Sequence, residues 1–200
     1  MLISYKIAFA LLGLSAVVTE IATLIERNLF NPFNFFSYFT IQSNIFAFAI
    51  LILSALATAS NRGSSKLNLL RGAATLYMAV TGIVFAVLLA GVAGSVLTAV
   101  PWDNIVLHYI MPVALLVDWF VDRPKKSIAF KKALVWLIYP VAYIIYSLTR
   151  GHFVNWYPYP FLNPNTNGYA GVLMTGLGIA ALTSMLAFIL TKVTRNKPSD

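Results

Sequence analysis

Six apolar runs of about twenty residues, each nearly free of charge, leave this chain little freedom of fold class. Each run is long enough to cross roughly 30 Å of hydrocarbon as a helix. Their limits predict helices near 6–26, 35–59, 70–92, 102–121, 131–149 and 169–192. Only 10% of the 200 residues are charged and 60% are hydrophobic, whereas a water-facing surface takes roughly a quarter charged residues. The expected fold is therefore all-α: a polytopic membrane protein, a six-transmembrane helix bundle making one membrane domain over residues 1–200. The apolar stretch that opens the chain is too long for a signal peptide. No small-residue cleavage site precedes the next polar stretch, so it is expected to stay as the first span.

Basic residues collect in alternate connections. Arg62, Lys66 and Arg71 flank the second, Arg123, Lys125, Lys126, Lys131 and Lys132 the fourth, and Lys192, Arg195 and Lys197 the tail. The first and fifth connections hold only Arg27 and Arg150, and the third holds none. Positive residues favour the cytoplasm, so both termini are expected there, with Lys6 on the same side. The net charge of +8 is then mostly this asymmetry, with some attraction to anionic lipid, and no nucleic-acid partner is expected. The fifth connection, "RGHFVNWYPYPFLNPNTNGY", has prolines and Asn–Gly turn signals, and reads as an ordered outer loop. Trp156, Tyr157 and Tyr159 suit an interfacial belt. On the last span, Gly171, Thr175, Gly176, Ala180 and Ser184 suit close helix packing.

The polar residues inside the spans fall at one depth. With alternating spans, Glu20 lies near the outer end of the first, and Ser37, Thr40 and Asn44 lie in the first turns of the second. Asp103, His108 and Tyr109 lie in the outer half of the fourth, and Tyr143, Tyr146 and Arg150 approach that level on the fifth. At about 1.5 Å per residue, Thr40 and His108 start at similar depths. Ser37, Thr40 and Asn44 share a face at i, i+3 and i+7; Ser43 borders it, and Gln42 points elsewhere. Tyr139, Tyr143, Tyr146 and Arg150 form a second stripe. Pro112 removes the hydrogen bond to the His108 carbonyl and is expected to kink the helix beside it. Asp103 can cap the fourth span, and Glu20 can pair with Arg27. Asp118 and Asp122 are expected to pair with Arg123 or Lys125 at the basic face.

Ionisable groups in a bilayer are costly and face the interior of a bundle. A threonine hydroxyl needs a base to act as a nucleophile, and a neutral histidine can take its proton and return it to a leaving alkoxide. Thr40 and His108 are the candidate catalytic pair. Glu20 or Asp103 can hold the imidazole tautomer, and Ser37, Ser43, Asn44, Tyr143 or Tyr146 can line the site or donate to an oxyanion. Such a set supports acyl transfer or ester hydrolysis at the depth of lipid esters. There is no G-x-S-x-G elbow and no H-E-x-x-H. With two histidines and no cysteine, no metal site, bis-histidine haem or other cofactor is expected.

At "SYFTIQSNIFAFAI" and "DNIVLHYIMPVALLVDWFVDRPK" the chain resembles the androgen-induced and androgen-dependent family of multi-span membrane threonine hydrolases. The family's aromatic–Thr setting matches Thr40, and its histidine a few residues before a proline matches His108. The resemblance implies hydrolysis of fatty acid esters of hydroxy fatty acids, with membrane lipids and a lipid ester as partners. It also implies a compact bacterial relative, expected in the plasma membrane. The rival class is a lipid-binding or transport protein that uses the same polar cavity and breaks no bond.

The charge asymmetry sets an orientation that labelling can test. Of cysteines introduced at Ser64 and Asn165, the second is expected to react with an impermeant thiol reagent added to intact cells and the first to be protected. Preferential reaction at Ser64 reverses the topology.

Overall fold

The computed structural model describes residues 1–91 and 98–194. The predicted end of the third span at Val92, and the tail residues Arg195 and Lys197, lie outside the described residues. The chain is an all-α bundle with six helices long and apolar enough to cross a membrane: α1 (Leu2–Glu26), α2 (Phe39–Ala59), α3 (Ser65–Leu89), α4 (Pro101–Val121), α5 (Phe130–Val154) and α6 (Pro164–Lys192). It is an integral membrane protein by this architecture. Joined by short connections, the helices alternate in direction, so the start of α1 and the end of α6 share one end of the bundle. That end is called the terminal end below.

Burial differs sharply between helices and shows which sit inside. Every residue of α3 from Arg71 to Thr81 is buried, so α3 is the central post. α1 buries one stripe, Lys6, Ala10, Gly13, Val17 and Glu20, at helical spacing. Its small residues let α1 lie close on α2 and α4; a side chain at Gly13 would run into the Met111 thioether. Trp136 docks the start of α5 on α3 by donating to the Leu69 carbonyl at 2.8 Å, and Tyr77 returns a bond to the Trp136 carbonyl at 3.0 Å. Trp119 ties α4 to α6 through the Leu190 carbonyl at 3.1 Å.

α1 and α3 begin four and five residues ahead of the predicted 6 and 70, and three further departures have a local reason. α2 starts at Phe39 rather than 35. Asn31 caps a four-residue helix, Pro32–Phe35, and the chain then breaks before Tyr38 turns extended ahead of α2. α5 continues past 149 to Val154, because Arg150 does not need to leave the helix to be solvated: it donates to Asn34 Oδ1 at 2.7 Å and lies over the Trp156 ring at 4.9 Å. α6 kinks at Gly168, whose φ of 66° is open to glycine, so its straight course begins at the predicted 169.

The charges at the terminal end pair differently from the sequence expectation. Asp118 and Asp122 do not take Arg123 or Lys125. Asp118 lies 2.8 Å from Lys6 Nζ and 2.7 Å from Arg71 Nη2; Asp122 lies 2.6 Å from Lys6 and 3.1 Å from Arg71. Arg123 instead donates to the nearby Phe120 carbonyl. Lys6 is fully buried and Arg71 nearly so. These cations are thus structural, and the other basic residues of that end carry the surface asymmetry. Two cations and two carboxylates from α1, α3 and α4 neutralise one another where an unpaired charge would be prohibitive.

This network predicts a stability split. Arg71→Met strands buried carboxylate and is expected to cost about 3–5 kcal/mol, whereas Arg123→Ala stays within about 0.5 kcal/mol. Unfolding midpoints in detergent read the difference.

Candidate active site

The break before α2 creates the site. Within the first turn of any helix the backbone N–H groups lack intrahelical partners. Thr40 is the second residue of α2, and its N–H is met at 3.1 Å by the hydroxyl of Tyr159 from the loop between α5 and α6. The same hydroxyl lies 3.2 Å from Thr40 Oγ1. On its other side Thr40 Oγ1 lies 3.2 Å from His108 Nε2, and His108 Nδ1 lies 3.0 Å from the Asn104 carbonyl.

Donor and acceptor roles follow by elimination. A carbonyl only accepts, so His108 carries its proton on Nδ1 and offers the Nε2 lone pair to the Thr40 hydroxyl. Thr40 Oγ1 in turn accepts from Tyr159, whose oxygen accepts from the Thr40 N–H. One chain of bonds thus runs from Tyr159 through Thr40 and His108 to a backbone carbonyl. Thr40 and His108 are 7% and 2% exposed, so both side chains are buried. Burial pushes the Tyr159 hydroxyl up to about 12, so it stays a donor through neutral pH.

Helix irregularities aim the histidine. His108 lies in a π-turn, Val106–Ile110, directly before Met111 and Pro112. A second π-turn, Phe85–Leu89, ends α3, and Phe85 stacks on the imidazole with centroids 4.0 Å apart. Such turns change the direction of side chains within an otherwise regular helix. The predicted disturbance at Pro112 is thus a re-registered segment carrying the histidine. Gly82 lets α3 approach it: a Cβ there would lie 2.9 Å from Pro112 Cβ and 3.3 Å from the His108 carbonyl oxygen.

The supporting residues divide. Neither Glu20 nor Asp103 holds the imidazole, because the Asn104 carbonyl, one turn earlier on the same helix, already occupies Nδ1. Glu20 accepts from the Ala99 N–H with both oxygens, at 2.9 and 2.7 Å, and so fixes residues 98–100 over the site. Asp103 is fully buried in the first turn of α4, and neither of its carboxyl oxygens meets a hydrogen-bond partner; it is not the side-chain cap expected. Asn44 gives its amide protons to the Thr40 and Leu107 carbonyls at 2.9 and 3.2 Å. It therefore positions Thr40 against the residue preceding His108 and is not free to meet an oxyanion. Ser43 turns to Thr81 at 3.0 Å. Ser37 donates to the Phe33 carbonyl and meets Tyr146 at 2.8 Å, while Tyr143 donates to the Ser37 carbonyl at 2.9 Å. Gln42, expected to point away from the polar cluster, receives the Tyr139 hydroxyl. The tyrosine stripe of α5 thus buttons the helix break together and does not bond to Thr40 Oγ1 or His108.

The tyrosine that does reach Thr40 is Tyr159, read from sequence as an interfacial anchor. It is 5% exposed, stacks on Phe161 and lies edge-on to Tyr38. Its only sequence signal is the proline pair Pro158 and Pro160, which stiffens the loop around it.

Two cavities meet at the pair. A polar one of about 340 Å³ is lined by Glu20, Arg27, Asn34, Thr98, His108 and Trp156 among others. An apolar slot on the far side is lined by Val80, Val84, Phe85, Ile144, Phe161 and Ile179 among others. Thr40 and Tyr159 belong to both walls. Among the described residues no cluster of three or more His, Cys, Asp or Glu could hold a metal ion. The chain matches no protein-family model, no curated protein and no solved structure.

Gly82 tests the aim of the histidine. Gly82→Ala must force α3 from the rigid Pro112 ring, and overpacking of this kind costs about 1–3 kcal/mol. A lower unfolding midpoint is expected, and a structure of the variant should show His108 Nε2 withdrawn from Thr40.

Proposed function

We propose that this protein is an intramembrane lipid ester hydrolase, with Thr40 as nucleophile and His108 as general base and then general acid. The observation that carries the reading is the Thr40–His108 contact at 3.2 Å, at the junction of a polar cavity and an apolar slot. An ester bond at that junction would have its acyl chain in the slot and its alcohol part in the polar cavity. The two matched residues of the threonine-hydrolase resemblance are the same pair, and esters of hydroxy fatty acids are the substrate class it suggests.

In the proposed reaction His108 Nε2 takes the Thr40 hydroxyl proton as Oγ1 adds to the ester carbonyl. The carbonyl π electrons move to oxygen, and the oxyanion meets the Tyr159 hydroxyl at the positive end of α2. Collapse expels the alkoxide, which takes the proton from His108 and leaves as the alcohol, with the acyl group on Thr40. Water then gives a proton to His108, attacks the acyl carbonyl and releases the fatty acid; His108 returns the proton to Thr40 Oγ1. Replacing that water by another alcohol makes the same site an acyltransferase. The basic terminal end, with Lys66, Lys125 and Lys131, supports placing both termini in the cytoplasm of a bacterial cell and the site near the outer leaflet of its plasma membrane.

Purified protein assayed with a panel of fluorogenic fatty esters and hydroxy-fatty-acid esters tests the proposal. Thr40→Ala is expected to abolish turnover, and His108→Ala to lower it by roughly 10²–10⁴-fold. The double variant should be no worse than Thr40→Ala alone, since members of a catalytic unit are not additive. Thr40→Ser should keep part of the activity. Tyr159→Phe, which loses one oxyanion donor, should cost roughly 10²–10³ in kcat. Full activity in a Thr40→Ala variant that elutes as the wild type removes the nucleophile. A wild type inert to every ester leaves the two cavities as a lipid-binding or transport site.

A further inference from the structure

The apolar slot does not end inside the bundle. α5 and α6 pack on each other near Phe130–Leu137, at the terminal end, and separate towards the site end, where Ile138–Val154 makes few contacts with α6. The gap is a groove lined by Leu148, Phe153, Leu162, Leu173, Gly176 and Leu177 among others. Ile144 and Leu162 belong to both this groove and the slot that reaches Thr40. Leu173 and Phe153 are 62% and 80% exposed, so the groove faces outward where a spanning helix meets lipid tails. Gly176 of α6, expected to pack helix on helix, faces open space instead: a side chain added there meets nothing within 4 Å.

We propose that the acyl chain of a bilayer lipid enters sideways between α5 and α6, along this groove, and reaches Thr40 through the slot past Ile144 and Leu162. The occupant follows from the chemistry of the walls. Aliphatic and aromatic side chains dominate from the bilayer face to Phe161 and Ile179, and a hydrocarbon chain crosses them without desolvating a polar group. A polar solute has the other cavity, through Arg27 and Asn34. This route deepens the proposed hydrolase reading and rests on it for its purpose, but chain entry is measured without turnover.

The test uses the full chain in phosphatidylcholine–phosphatidylglycerol vesicles containing a phosphatidylcholine with a diazirine at the end of one acyl chain. After illumination, labelled residues are mapped by mass spectrometry. Label is expected on Phe161 and Ile179, which line the slot and lie outside the groove. Gly176→Phe should fill the groove and remove that label. Gly178→Phe should keep it, since Gly178 also has open space around it but lies roughly 200° further round the helix, off the groove. Leu173→Trp, at an exposed groove position, is a second block that asks nothing of the core. Slot labelling that survives both Gly176→Phe and Leu173→Trp overturns the route, as does wild-type label confined to the polar cavity around Leu24 and Leu29. Slot labelling that depends on Gly176 in a protein inert to every ester keeps the route and removes the hydrolase. Ester turnover with slot labelling indifferent to Gly176 does the reverse.

Discussion

A helix that starts inside a packed bundle must find partners for its first backbone N–H groups, because water is not at hand there. α2 starts in this way at the buried Phe39, and the chain answers with a tyrosine brought back from the loop between α5 and α6: Tyr159 meets the Thr40 N–H. This one bond ties together features that otherwise look unrelated. It explains why the loop after α5 is folded inward, with Tyr159 and Leu162 buried. It closes the top of both cavities. It also sets the Thr40 hydroxyl between a phenol and an imidazole, at the positive end of a helix dipole. The stripe of Tyr139, Tyr143 and Tyr146 secures the same break from α5, so the irregular backbone between Phe36 and Tyr38 is held from two directions.

The two ends of the bundle use polar groups in opposite ways. At the terminal end Lys6, Arg71, Asp118 and Asp122 close on one another and fix the register of α1, α3 and α4. Breaking such a set leaves an unpaired buried charge, so it holds the three helices firmly even if its net contribution to stability is small. At the site end the contacts to Thr40 and His108 are single hydrogen bonds among neutral groups and backbone. α5 and α6 contribute nothing to the ion cluster; they pack on each other at the terminal end and part at the other, where the groove opens.

The bundle was legible in the sequence because a bilayer imposes one length scale on every span, and charge marks the ends. The meeting of Thr40 and His108 was also legible, since alternating helices of fixed rise place equal offsets at equal depths. Tyr159 was not, because a loop has no such ruler: its proline pair predicts stiffness but not the direction in which the ring points. Asp118 and Asp122 misled because proximity in sequence favours Arg123 and Lys125, whereas a buried carboxylate takes the cations that burial already holds nearby, and those sit on other helices. Face geometry alone offers Asn44 as a site-lining residue or oxyanion donor. Its amide is consumed by two carbonyls, Thr40 and Leu107, which no spacing rule reveals. The π-turns have no sequence mark beyond Pro112.

The absence of a carboxylate behind His108 has a physical logic in this setting. A charged partner on Nδ1 would strengthen the base, yet it would place a permanent anion between packed helices, where desolvation costs several kcal/mol. The Asn104 carbonyl fixes the same tautomer with a dipole and no net charge. In the proposed reaction charge then appears only in pairs: an imidazolium beside the developing oxyanion, formed together and discharged together when the alkoxide leaves. Two opposite charges a few ångströms apart in a dry site attract strongly, which compensates for the weaker base. Glu20 and Asp103 fit the same arrangement. Glu20 lines the polar cavity and holds residues 98–100 through the Ala99 N–H, while Asp103 lies buried in the first turn of α4, so in the proposed reaction neither carboxyl touches His108 and the proton transfers stay with the Thr40–His108 pair.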